Sequence, residues 1–275
     1  MESNKVNFDS LFEATPLSDT DRSYIEKTIE FVKKTLSGSE SGHNWFHIER
    51  VWKNAKNISK QILKRSCHDQ QANGSIESNP PVSTNTANPI INTSSLNPPT
   101  KLDLLSIELG ALLHDISDYK FNNGDESLGS KISYDFLYSI KVEKSIIEKV
   151  VSIIEGVTFK GPKEKNQANS IEAQIVQDAD RLDALGAIGI ARAFAYGGNK
   201  NREIYDPTMK PDRNMNWEQY KNNKSSSLNH FYEKLFLLKD KMNTKEGKSM
   251  AEKRHLYMEG FVNKFLKEWE GEDYE

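Results

Sequence analysis

Apolar residues recur at steps of three and four along most of this 275-residue chain. Such spacing places them on one face of an α-helix, and the period-2 alternation typical of half-buried strands is almost absent. Ser18-Asp19-Thr20 is a capping set ahead of a first amphipathic helix, and a second helix is predicted to begin near His43. From about Leu102 to Leu113 the chain is apolar nearly all round, which indicates a buried helix. These patterns predict an all-α fold.

Further helices are predicted over residues 125–139, 143–156 and 170–195, the last closed by Gly197-Gly198, and two more open near Ser225 and Thr244. Gly186 and Gly189 lie inside the pattern of residues 170–195 with no strand before them. A dinucleotide-binding loop needs such a strand, so we interpret both as helix-packing glycines.

Composition changes abruptly over residues 64–100. This segment is rich in Asn, Ser and Thr, contains Pro80-Pro81 and Pro98-Pro99, and has few long aliphatic side chains. It cannot bury enough apolar area to offset the entropy lost on ordering, which predicts a disordered insertion; the alternative is a recognition segment. We expect a single compact helical bundle over residues 18–270, interrupted by this long insertion.

The charge balance bears on possible partners. With 37 basic and 40 acidic residues, the net charge is −3, which argues against a nucleic-acid or membrane partner. The single cysteine, Cys67, excludes an intramolecular disulfide, and no stretch approaches the roughly 18 apolar residues of a membrane span. We expect a cytoplasmic protein, whose oligomeric state the sequence does not indicate.

Ionisable residues lie at an end of an apolar helical segment at three places. The buried helix ends in His114-Asp115, and burying such a pair costs several kcal/mol unless a metal ion or another charge compensates it. His47 heads the apolar stripe of the second helix. A later helix carries Asp178, Asp180 and Asp183. At about 100° per residue, Asp178 and Asp180 point about 200° apart, whereas Asp183 shares the face of Asp180, so these acids compete as ligands.

This order of motifs resembles the HD superfamily of metal-dependent phosphohydrolases and, within it, the YpgQ/YedJ-like group. The resemblance covers about residue 20 to the C-terminus apart from the insertion. It rests on the following segments: His43-x-x-x-His47-x-x-Arg50-Val51, Leu113-His114-Asp115-Ile116, Phe159-Lys160-Gly161, Gln177-Asp178-Ala179-Asp180-Arg181-Leu182-Asp183-Ala184 and His230-Phe231-Tyr232-Glu233-Lys234-Leu235.

The resemblance implies that His47, His114, Asp115 and Asp180 bind one divalent metal ion. Two imidazoles and two carboxylates suit a borderline-hard ion such as Mn²⁺, which we expect as the cofactor. Binuclear members of the superfamily need further histidines between the His-Asp pair and the final Asp, and residues 116–179 contain none. A single metal ion is therefore expected.

Other residues are candidates for catalysis or substrate binding. Asp118, one helical turn after Asp115, either orients or deprotonates the attacking water or is a solvated acid at a helix end. Lys120, Lys160 and Arg181 can bind phosphate oxygens, and Lys160 is favoured by the Gly-Pro loop after it. Arg50 can pair with a site carboxylate or with a phosphate. His230 and Lys234, four residues apart, match the motif and are candidates for substrate binding.

The expected substrate is a phosphorylated small molecule, most simply a nucleotide. The resemblance implies hydrolysis of nucleoside or deoxynucleoside triphosphates to a monophosphate and pyrophosphate. Two alternatives stay open: a nucleotide phosphomonoesterase, and a non-catalytic protein that binds a metal or a nucleotide on the same scaffold.

Overall fold

The computed structural model of the chain describes residues 12–38, 44–74, 100–116, 128–157, 168–213 and 225–272, with the isolated positions 215, 218, 219, 223 and 274. In chain order the elements are β1 (Phe12–Ala14), α1 (Asp19–Thr35), α2 (Trp45–Gly74), β2 (Thr100–Leu102), α3 (Leu104–Leu113), α4 (Leu128–Ser139), α5 (Lys144–Val157), α6 (Ile171–Asp183), α7 (Gly186–Asn199), α8 (Asn229–Glu233), a 3₁₀ helix (Leu235–Lys241) and α9 (Lys245–Glu270). The predicted all-α fold is confirmed.

Helix α3 lies at the centre of the bundle, where it contacts α1, α2, α5 and α6. Every residue from Leu105 to Leu113 is buried. Ile107 and Ala111 pack into a core built mainly by α2, α6 and α9. Leu109 and Leu112 pack on the other side, against α1, α4 and α5. The prediction of a buried helix is confirmed, and its end therefore lies deep inside the protein.

Side-chain caps set where several helices begin. Ser18 and Asp21 form a reciprocal capping box, so α1 begins at Asp19, inside the predicted capping set rather than after it. Asp103 accepts a hydrogen bond from the backbone N–H of Ser106 at 3.0 Å, which starts α3 slightly later than the apolar pattern suggested. Thr244 caps α9 through the N–H of Gly247 at 2.9 Å.

The predicted continuous helix over residues 170–195 is wrong. The chain breaks between Asp183 and Gly186, and Gly186 has a φ of +74°, a left-handed conformation that glycine adopts without steric cost. Gly189 permits the tight turn, because a Cβ there would lie 2.3 Å from the carbonyl oxygen of Ala184. These glycines therefore make a turn between two helices rather than a helix-packing surface.

The predicted insertion also begins later than residue 64. Helix α2 continues through Gly74, and Ser66 on it is buried and accepts a hydrogen bond from the N–H of Phe12 at 2.8 Å. Arg65 pairs with Glu246 of α9 at 2.7 Å. These long-range contacts order the end of α2 despite its polar composition. The rest of the predicted insertion, residues 75–99, lies outside the described residues.

A short parallel pair of strands, which the helical pattern did not predict, joins the N-terminal segment to the residues just before α3. β1 pairs with β2 in the register Phe12–Thr100, Glu13–Lys101 and Ala14–Leu102. Phe12 and Leu102 are buried in the core shared by α2 and α6. Among the described helices, none is long and apolar enough to cross a membrane.

Candidate metal centre

Three helices bring the four predicted metal ligands together at one end of α3. His47 lies in the first turn of α2, and Asp180 lies in the last turn of α6. His114 and Asp115 directly follow α3. Because α3 contacts both α2 and α6, its C-terminal end delivers the His-Asp pair to the point where the other two helices meet.

The donor atoms of these side chains converge. Nε2 of His47 lies 3.5 Å from Oδ1 of Asp180 and 3.9 Å from Oδ2 of Asp115. Nε2 of His114 lies 3.7 Å from Oδ1 of Asp180. Ligand atoms at about 2.1 Å from a shared first-row ion lie at most about 4.2 Å apart. These three separations are therefore compatible with one ion bound between the side chains.

Each imidazole is anchored through Nδ1, the ring nitrogen that faces away from the donor cluster. Nδ1 of His114 lies 2.9 Å from the carbonyl oxygen of Ala111, and Nδ1 of His47 lies 2.8 Å from Oδ2 of Asp183. A carbonyl and a carboxylate only accept hydrogen bonds, so each Nδ1 carries the hydrogen. With Nδ1 occupied in this way, the neutral form of each ring presents the lone pair of Nε2 to the cluster, as metal-binding histidines do.

Nε2 of His114 is a buried polar atom without a hydrogen-bond partner within the described part of the chain. Buried polar atoms of this kind are uncommon and need a physical explanation. A metal ion supplies the missing partner, and two carboxylates offset its charge. The residues present therefore fit a divalent ion on their own chemistry.

The electrostatics of the cluster follow from its carboxylates. Burial by itself lowers the pKa of His114, but the neighbouring carboxylate of Asp180 and then the charge of Asp115 outweigh burial and raise this pKa to about 9. Burial would raise the pKa of Asp180, yet His114 and His47 hold it well below its usual range. Burial also lowers the pKa of His47, although Asp183 opposes that shift. The carboxylates therefore favour positive charge at His114, whereas burial disfavours it at His47.

The three acids of α6 contact different parts of the protein. Asp180 faces the two imidazoles, whereas Asp178 points to the start of α9 and accepts hydrogen bonds from the N–H groups of Asn243 and Thr244, both at 2.8 Å. Asp183 lies behind His47. Among these three acids, Asp180 is the one whose carboxylate lies near Nε2 of both imidazoles.

Two predicted phosphate ligands are engaged elsewhere. Arg50 donates from Nε to Oδ1 of Asp183 at 2.6 Å and from its NH2 group to Oδ2 at 3.0 Å, which is the carboxylate alternative considered above. Arg181 is buried and donates to the carbonyl oxygen of Lys241, so it joins α6 to the 3₁₀ helix. Arg181 thus contacts the protein's own backbone in this structure, and its phosphate binding stays a prediction.

The remaining candidates fall into two groups. His230 lies beside Lys234 and Arg202, and the positive charges of these two residues both act on its imidazole. Burial first, and then these two cations, lower the pKa of His230 to about 3. Asp118, Lys120 and Lys160 lie outside the described residues.

Arg192 is a residue of this region that the sequence analysis missed. It comes from α7 and donates to Oδ2 of Asp183. A signal was present, because Arg192 is the single charged residue of α7, a helix otherwise made of apolar, small and aromatic residues with one terminal Asn. The contact needs the turn at Gly186, since nine residues of continuous helix would separate the two positions by about 13 Å.

Comparison with known proteins agrees with this geometry. The HD domain family model matches residues 45–185. YpgQ of Bacillus subtilis, described as an uncharacterized protein, is 31% identical over 251 residues, covering 91% of this chain and 96% of that protein.

Solved structures extend the likeness over nearly the whole chain. An HD-superfamily hydrolase from Bacillus thuringiensis is 40% identical, covers 91% of this chain and 98% of its own, and has a TM-score of 0.61. YpgQ of Bacillus subtilis in complex with ADP is 28% identical, covers 90% and 96%, and has a TM-score of 0.60. The chain therefore belongs to the HD-domain family and is an HD-superfamily hydrolase.

Proposed function

We propose that this protein is a metal-dependent phosphohydrolase that cleaves nucleoside or deoxynucleoside triphosphates to a monophosphate and pyrophosphate. In this proposal one divalent ion, Mn²⁺, is held by His47, His114, Asp115 and Asp180. The observation that carries the proposal is the convergence of their donor atoms around the buried, unpaired Nε2 of His114.

The protein's own residues prepare this site in two ways. The Ala111 carbonyl and Asp183 keep the two imidazoles oriented with Nε2 toward the cluster. Asp115 and Asp180 supply two negative charges next to them. A divalent ion bound there supplies Lewis acidity, which activates water and offsets the charge of phosphoryl oxygens. Since the donors are held before any ligand arrives, little reorganisation accompanies the reaction.

The nucleotide class is supported by two observations outside the centre. The YpgQ structure from Bacillus subtilis is a complex with ADP, a nucleotide. In the chain itself, the cations Lys234 and Arg202 lie beside the neutral imidazole of His230, a grouping that suits an anionic substrate. We assign Lys120 and Lys160 to the same task. Arg50 acts through Asp183 in this scheme rather than on phosphate.

Two alternatives make different predictions for the same assay. A nucleotide phosphomonoesterase would release phosphate from a nucleoside monophosphate. A non-catalytic binding protein would hold the metal and release nothing. The four donors and the acceptors behind both imidazoles are all present, which favours a catalytic protein.

The proposal is tested by measuring phosphate and pyrophosphate release from a panel of ribonucleotides and deoxyribonucleotides with added Mn²⁺, together with elemental analysis. We expect one metal ion per chain and pyrophosphate from triphosphates. Asp115→Ala should lose the ion and the activity together, whereas Asp135→Ala, at an exposed position of α4, should keep both. Two ions per chain, or no product from any nucleotide by metal-loaded protein, would contradict the proposal.

A further inference from the structure

Asp183 lies behind the metal centre rather than in it. Its Oδ2 is 2.8 Å from Nδ1 of His47, on the side of the ring opposite the Nε2 that faces the donor cluster. The carboxylate is almost fully buried, with 2% of its side chain exposed. A buried carboxylate is costly unless charged or donor groups surround it, so its partners define its role.

Two guanidinium groups from different helices surround this carboxylate. Arg50 of α2 binds both oxygens in a fork, at 2.6 Å from Nε to Oδ1 and 3.0 Å from NH2 to Oδ2. Arg192 of α7 donates to Oδ2 as well. Together with His47, these partners anchor the carboxylate from α2 and α7 while its own backbone belongs to α6. Such bidentate arginine contacts fix direction as well as charge.

The two imidazoles of the centre are held in different ways. His114 donates to a backbone carbonyl, that of Ala111, three residues earlier. Every residue provides such a carbonyl, so this anchor does not depend on the side chain at position 111. His47 depends on one particular side chain from a distant part of the chain. The orientation of His47 is therefore the part of the centre that a single substitution can release.

We propose that Asp183 is a positioning residue that fixes the ring orientation and the Nδ1–H tautomer of His47, with Arg50 and Arg192 holding its carboxylate in place. Where it concerns the metal, this inference rests on the proposed function. An ionised carboxylate accepts hydrogen bonds and cannot donate them, so it excludes the tautomer whose hydrogen would occupy Nε2. Neither Asp183 nor the two arginines need to touch the substrate.

The test compares two asparagine variants of buried acids on the same helix. In Asp183→Asn the amide can donate to Nδ1, which allows the tautomer that blocks Nε2. We expect this variant to bind Mn²⁺ roughly 10- to 100-fold more weakly in calorimetric titration, the usual cost of losing such a partner. Asp178→Asn removes a buried carboxylate that binds α9 instead, so it should lower the melting temperature but leave the Mn²⁺ affinity unchanged.

A second readout does not need the metal. Long-range ¹H–¹⁵N spectra of metal-free protein should show the Nδ1–H tautomer of His47 in the wild type and a population of Nε2–H in Asp183→Asn. If that variant does not fold, Arg192→Gln, at a partly exposed position, should show smaller shifts in the same directions.

The outcomes are distinct. Unchanged affinity and tautomer in Asp183→Asn would overturn the inference, and so would an equal loss of affinity in Asp178→Asn, because general loosening would then explain both. If the wild type hydrolyses no nucleotide while the tautomer and affinity shifts are found, the proposed function fails and the positioning role of Asp183 stands.

Discussion

The three acids of α6 meet different partners because they differ in the side of the helix they occupy or in their position along its axis. Asp180 faces the imidazoles, Asp183 faces the ring of His47 from behind, and Asp178 faces the start of α9. Asp180 and Asp183 are one turn apart and share the side toward α2, so a single helix supplies both a candidate ligand and the group that orients another ligand.

The role of Asp118 yields a prediction at the scale of one residue. If Asp118 positions or deprotonates the attacking water, Asp118→Asn should keep the metal affinity and lower kcat by roughly 10²–10⁴, the range of a general acid–base group. Steady-state kinetics and metal titration of the same preparation measure both quantities. Turnover at the wild-type rate would show that Asp118 is a solvated acid.

His230 makes a prediction for pH dependence. Burial and the cations Lys234 and Arg202 lower its pKa in the folded protein to about 3. The unfolded chain, with a histidine pKa of about 6.5, then binds a proton that the folded state does not, so stability falls as pH drops from 6.5 toward 3. At pH 5 the loss should reach up to about 2 kcal/mol relative to neutral pH.

Urea unfolding of the wild type and of His230→Gln at several pH values isolates this contribution. Other acids titrate equally in both proteins, so the difference between the two free energies of unfolding reports on His230. As pH falls, the wild type should lose more free energy of unfolding than His230→Gln does. A constant difference between pH 7 and pH 5 would contradict the shifted pKa.

At the scale of elements, Asp178 joins α6 to α9. Its carboxylate is fully buried and accepts from the N–H of Asn243, the N–H of Thr244 and the Thr244 hydroxyl, each at 2.8 Å. Gly247 leaves the space for it, since a Cβ at that position would lie 2.5 Å from Oδ2 of Asp178. The negative charge also complements the positive end of the α9 dipole.

Removing this junction should destabilise the protein measurably. Asp178→Ala leaves two backbone N–H groups without their acceptor, and we expect the free energy of unfolding to fall by roughly 3 kcal/mol. Asp240→Ala, at an exposed position of the 3₁₀ helix, should change it by less than about 0.5 kcal/mol. Equal stability of the two variants in denaturant unfolding would show that α9 does not need this anchor.

At the scale of the whole molecule, the end of α2 and strand β2 hold the N-terminal segment in place. Phe12 binds Ser66 through its N–H and pairs with Thr100 in the sheet. Arg65 ties the same end of α2 to Glu246 of α9. The boundaries of residues 64–100 are thus part of the packed bundle, although this stretch is mostly polar.

Two linker replacements test which part of residues 64–100 contributes to stability. Exchanging residues 75–99 for a short Gly/Ser linker should leave the melting temperature and metal content nearly unchanged, because the added loop entropy varies slowly with length. Exchanging residues 64–100 should lower the melting temperature clearly, since the contacts of Arg65 and Ser66 and strand β2 are lost. Equal melting temperatures for the two variants would argue against a stabilising role for those contacts.

Local sequence patterns determined the helical class, the burial of α3 and the starts of α1 and α9. Periodicity and capping act within a few residues, so they can be read before any tertiary contact is known. The same holds for the order of His47, His114-Asp115 and Asp180, which indicated the family, and for the absence of histidine over residues 116–179.

Only the tertiary structure decided which acid of α6 faces the imidazoles, and that Arg181 and Arg50 contact the carbonyl of Lys241 and the carboxylate of Asp183. It also brought Arg192 to Asp183 by way of a turn in a segment whose periodicity favours one continuous helix. The reason is physical: periodicity reports which residues share a helix face, whereas an ion pair between distant residues depends on how those faces pack. The left-handed conformation of Gly186 that redirects α7 is open to glycine at no steric cost, so the sequence permits this turn without requiring it.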